Sequence, residues 1–110
     1  MDILTATQLA DRIKAKDNVP IILDVREHWE LEICKLPGSL DIPMGEITSR
    51  LNEIDPESEI VCLCHHGIRS YQVALYLQRQ GFDKVYNLHG GIHAWAADVD
   101  STCPVRSEER

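Results

Sequence analysis

Cys64, Arg69 and the residues between them are where this sequence could do chemistry. The stretch Ile60-Val61-Cys62-Leu63-Cys64-His65-His66-Gly67-Ile68-Arg69-Ser70 begins as an apolar run and closes that run with a cysteine. It then turns through a glycine into a helical pattern. A thiol at a strand end, directly before a helix N-terminus, faces backbone N–H groups that lack intrahelical partners and the positive end of the helix dipole. Such settings bring a cysteine from about 8.5 down to roughly 3.5–7.5. Cys64 is therefore the candidate nucleophile. Gly67 lets the backbone curl with no Cβ in the way. Arg69 stands where the helix begins and can add a fixed positive charge. The cup formed by His65, His66, Gly67, Ile68 and Arg69 suits a small oxyanion held against sulfur. A buried, inert Cys64 is the competing reading, and the polar loop that follows it speaks against that.

The flanking elements have to position this loop. Thr5 to Ile13 reads as a helix, with Thr5 or Thr7 as cap and Leu9 and Ile13 on one face. Ile21-Ile22-Leu23-Asp24-Val25 is a continuous apolar run, as in a strand covered on both faces. Arg26 to Ile33 forms a short helix, Leu36-Pro37-Gly38-Ser39 a turn, and Leu40-Asp41-Ile42 a short strand. The spacing of Ile47, Leu51 and Ile54 predicts a helix over 44–54. Ile60 to Leu63 is a buried strand. Ser70 to Gln80 is the strongest helix, with Val73, Ala74 and Leu77 in its stripe and Gly81 at its C-cap. Lys84 to Leu88 is a strand, and Ile92 to Ala97 a last short helix in which Trp95 packs. Residues 98–110 lose periodicity and read as a polar, loosely packed tail after a domain of residues 1–97. The alternation predicts an α/β domain with a mainly parallel sheet and helices on both faces. Ligands bind such sheets outside the carboxyl ends of the strands, where Cys64 lies.

Four blocks now resemble one family. Leu23-Asp24-Val25-Arg26-Glu27, Leu36-Pro37-Gly38-Ser39-Leu40-Asp41-Ile42-Pro43, Cys64-x-x-Gly67-x-Arg69-Ser70 and Leu88-His89-Gly90-Gly91-Ile92-x-x-Trp95 are similar, in order, to the signatures of single-domain rhodaneses, which are sulfurtransferases. The resemblance implies a rhodanese-like, five-stranded mainly parallel sheet flanked by helices. It implies that Cys64 takes sulfane sulfur from an anionic donor such as thiosulfate, becomes a persulfide, and passes the sulfur to a thiol or cyanide acceptor, a protein thiol included. The amides of residues 65–69 would stabilise the bound anion and the persulfide. No metal or organic cofactor is implied. Two departures bear on donor choice: Cys34-Lys35 stands where Gly-His is usual, and His65-His66 where Arg and a small residue are frequent. The two histidines read equally well as a pH-sensitive rim or as exposed loop residues.

Two other functions compete. One is a sulfur-relay or interaction module with negligible free turnover. The other is a phosphatase or arsenate reductase of related fold, whose loop places five residues between cysteine and arginine. Here four lie between Cys64 and Arg69, and few carboxylates are at hand to act as general acid.

The totals set bounds. The chain has 110 residues and a net charge of -7, which suits one domain and disfavours nucleic acid as a partner. No membrane-length apolar run and no signal-peptide pattern is present, so a cytoplasmic setting with free thiols is expected. Cys62-x-Cys64-His65-His66 is too cramped to wrap one tetrahedral ion. Cys62 reads as a core thiol, with a resolving thiol as the alternative. Cys103 reads as a bystander in the tail or a second redox thiol. Asp24 and Arg26 should organise the floor of the site, with Glu30 or Glu32 as a partner for Arg26. Asp41, Glu46, Glu53, Asp55, Glu57 and Glu59 read as solvated surface.

Overall fold

A strand of four residues with no exposed surface sits at the centre of the molecule. In the computed structural model, which describes residues 2–16 and 18–100, Ile60–Leu63 forms β4, and all four residues are 0% exposed. Four more strands join it: β1 (Asp2–Leu4), β2 (Ile21–Asp24), β3 (Leu40–Asp41) and β5 (Val85–Leu88). Their order is β1-β5-β4-β2-β3, and every pairing is parallel. The helices are α1 (Ala6–Ala15), α2 (His28–Ile33), α3 (Ile68–Arg79) and α4 (Gly91–Asp98).

Strand periodicity divides the core in two. Ile60 and Cys62 of β4 join Val73, Ala74 and Leu77 of α3 on one face, together with Leu23, Val25 and Val85. Val61 and Leu63 join Leu9 of α1 and Ile92 and Trp95 of α4 on the other face, with Leu4, Ile22 and Leu88. The chain is thus α/β, a parallel five-stranded sheet with helices on both faces. Trp95 packs in this second cluster, as expected.

Thr5 caps α1 in a reciprocal capping box with Gln8, so the choice between Thr5 and Thr7 falls to Thr5. Three elements differ from the reading of the sequence. Residues 2–4 form an edge strand, pairing Leu4 with Leu88, where no strand was expected. The helix expected over 44–54 is two 3-10 turns, Met44–Glu46 and Leu51–Glu53. Pro43, Gly45 and the run Ile47-Thr48-Ser49 weaken a helix, yet Ile47 and Ile54 still reach the core. The last helix extends to Asp98, one residue into the stretch read as tail. Residues 101–110, and Cys103 with them, lie outside the described residues. No described helix is long and apolar enough to cross a membrane.

Candidate active site

β4 ends at Leu63, and Cys64 opens the loop that feeds α3. Gly67 makes the turn possible. It is the N-cap of α3 at φ +105°, a conformation that costs a glycine little and other residues much. The turn brings three donors to one atom. Cys64 Sγ accepts from the Gly67 N–H at 3.0 Å, the Ser70 N–H at 3.4 Å and the Ser70 hydroxyl at 3.3 Å. The sulfur lies in the wall of a cleft that Trp29 and Glu30 of α2 share with His65, His66, Ile68 and Arg69.

Asn87 of β5 holds this arrangement from behind. Its Nδ2 donates to the Gly67 carbonyl at 3.1 Å, and its Oδ1 accepts from Ser70 Oγ at 2.5 Å. Ser70 has one hydroxyl proton. It either gives that proton to Asn87 while receiving the Cys64 thiol proton, or turns it to an ionised sulfur. Ser70 therefore links Cys64 Sγ to Asn87 of the sheet.

α4 closes the loop from the other side. The Ile92 N–H donates to the Cys64 carbonyl at 2.8 Å and the His93 N–H to the His65 carbonyl at 3.0 Å. A Cβ on Gly91 would overlap both of those carbonyl oxygens. Gly91 is the position where the helix backbone must touch the loop.

The charged groups pair differently from the expectation. Arg26 and Asp24 form a buried pair, with Arg26 Nη2 2.8 Å from Asp24 Oδ2, and Arg26 also donates to the Cys34 carbonyl at 2.7 Å. They form the ion pair anticipated for them, while the residues that line the Cys64 cleft include neither. Glu30, however, is the partner of Arg69 and not of Arg26: the two Arg69 Nη atoms lie 2.7 and 2.8 Å from its oxygens. Burial raises the Glu30 carboxyl, but the Arg69 hydrogen bond, the Glu27 amide and the charges of Arg69 and Arg26 outweigh it and hold it below its ordinary value. The Arg69 guanidinium is held above its own. Arg69 thus reaches the cleft as half of an ion pair.

The cysteines separate. Cys62 and Cys64 are free thiols. Burial, and then the Cys64 charge, push Cys62 up to about 12, in keeping with a core thiol. His65 is held below its ordinary value by burial and by His66 and His93, against the pull of Glu30.

The sequence matches the family profile described as "Rhodanese-like domain" over residues 5–98. The chain belongs to the rhodanese-like family. It is 37% identical over 93 residues to a sulfurtransferase of Allochromatium vinosum, covering 84% of this chain and 86% of that one. A rhodanese-like domain protein from Staphylococcus aureus superposes with a TM-score of 0.83 at 30% identity, covering 97% of this chain and all of the other. An NAD-dependent persulfide reductase from A. fulgidus matches with a TM-score of 0.70 at 33% identity, over 86% of this chain and 16% of that one. The sulfurtransferase assignment and the five-stranded fold follow from these likenesses. Within this rhodanese-like site, sequence reasoning missed Trp29, Asn87 and His93. Asn87 had a visible signal, a polar residue inside an apolar strand, whereas Trp29 and His93 had none.

Proposed function

We propose that Cys64 is the catalytic sulfur carrier and that His65, His66, Gly67, Ile68 and Arg69 bound the donor. The Cys64 thiolate attacks the outer sulfur of a donor such as thiosulfate. The donor S–S bond breaks, sulfite leaves with the bonding pair, and Cys64 becomes a persulfide. A thiolate or cyanide then attacks the outer sulfur of that persulfide, and Cys64 leaves as the thiolate. The observation that carries this reading is the convergence of two amides and the Ser70 hydroxyl on Cys64 Sγ. Donors fixed in advance around a sulfur stabilise its negative charge without reorganising. Ile68 and Arg69 open α3, so their amides belong to its unpaired first turn and can meet the incoming anion.

One observation favours a relay among proteins over turnover of a free anion. Glu30 compensates the Arg69 charge, which leaves a small anion less to bind. The cleft is flanked instead by exposed apolar surface, Trp29 at 57% and Ile68 at 73%, suited to a partner that brings its own persulfide or thiol. The same ion pair gives a phosphate no free guanidinium, and the short loop argues against phosphoryl transfer. Intact mass after incubation with thiosulfate tests the reading: one added sulfur on wild type and none on Cys64→Ala. Equal addition to both would overturn it. Thiocyanate formation at low donor concentration would favour free turnover, and loading only from a protein persulfide would favour the relay.

A further inference from the structure

The fold assembles a group of side chains that the sequence keeps apart. His65 and His66 lie in the Cys64 loop, and His93 lies in the first turn of α4. Their ligand nitrogens are all within 4.8 Å of one another. The ring centroids of His65 and His66 are 4.3 Å apart, and His66 stacks on His93 at 5.0 Å with 17° between planes. Backbone contacts set this spacing. The His93 N–H holds the His65 carbonyl, and Gly91 seats the helix against the loop. His65 Nε2 is buried and has no hydrogen-bond partner. A buried polar nitrogen without a partner is costly and needs an explanation.

We propose that His65, His66 and His93 form a three-imidazole site for a borderline divalent transition-metal ion, with Zn2+ the ordinary occupant. Imidazole donors suit zinc, copper and nickel, and the absence of oxygen donors from the trio disfavours calcium and magnesium. Zn–N bonds of about 2.0–2.1 Å put neighbouring donors of a tetrahedron roughly 3.3 Å apart, so the widest pair closes by about 1.5 Å. His66 and His93 are exposed and can rotate to close it. Three protein ligands leave a fourth position for water or an anionic sulfur group. His65 and His66 also line the Cys64 cleft, which brings that position near the carrier thiol. The site uses no cysteine, and so differs from the cramped Cys62-x-Cys64-His65-His66 set.

The test is calorimetric titration of the full reduced chain with ZnCl2, joined to the electronic spectrum with Co2+ as probe. The expected result is one ion per chain, and binding weakened roughly tenfold or more by His93→Ala. Binding persists in Cys64→Ser, with four-coordinate Co2+ bands and no thiolate charge-transfer band. His93 is exposed and meets the loop through its backbone N–H and a ring contact with His66, so a melting curve matching wild type shows that the variant is folded. Absence of binding by wild type, full affinity in folded His93→Ala, or a thiolate band lost with Cys64→Ser would each overturn the assignment. The last would mean a cysteine-bound ion.

Discussion

Cys62 and Cys64 are two residues apart, lie in the same core cluster and are 0% and 1% exposed. By burial alone they are the same residue. They differ in what the backbone does around them. Cys62 sits inside β4, where the amides belong to the sheet, and its thiol is pushed up to about 12. Cys64 sits one step past the strand, where the chain turns through Gly67 and aims two amides and a hydroxyl at the sulfur. The two thiols therefore differ in the donors that a strand-to-helix turn aims at one of them, and not in exposure.

The largest effect that tests this comparison is complete loss of sulfur loading in Cys64→Ala, with loading kept in Cys62→Ala. The latter should cost only stability, about 1 kcal/mol, as a small buried truncation. Denaturant unfolding alongside the mass assay separates the two outcomes. Gly91→Ala comes next. Its Cβ would overlap the Cys64 and His65 carbonyls at φ +59°, so a loss of about 3 kcal/mol or more is expected, read as a lowered urea midpoint. Asn87→Leu should follow, costing about 1–3 kcal/mol through the loss of its buried hydrogen bonds to the Gly67 carbonyl and the Ser70 hydroxyl, and slowing loading. Loading at the wild-type rate in that variant would separate Asn87 from the sulfur.

Glu30→Gln should have the smallest effect. The folded carboxyl lies below its ordinary value of 4.5. Its contribution to stability is therefore complete above 4.5 and is lost as pH falls through the folded value. Wild type should lose urea resistance between neutral and acid pH by more than Glu30→Gln does. Equal pH dependence would mean that the Arg69 ion pair contributes nothing to the fold.

The loop and the sheet were legible in the sequence because both write themselves locally. Ile60-Val61-Cys62-Leu63 can only be a covered strand, and Gly67 marks the turn at a fixed distance from Cys64. The 44–54 segment misled because apolar residues spaced by four and three fit a helix and two successive 3-10 turns alike. Residues 2–4 were too few to show a strand's period. The partner of Glu30 was hidden by distance. Arg26 is near in sequence, yet Arg69, across the fold, is the residue that pairs with it. His93 was hidden in the same way, since only the docking of α4 on the loop brings it to His65 and His66.

The most direct measurement of the central claim is the location of the carried sulfur. The chain is loaded with thiosulfate, trapped by alkylation and mapped by peptide mass. The account predicts a persulfide on Cys64 and an unmodified Cys62. Sulfur found on Cys62, or spread over both residues, would contradict it.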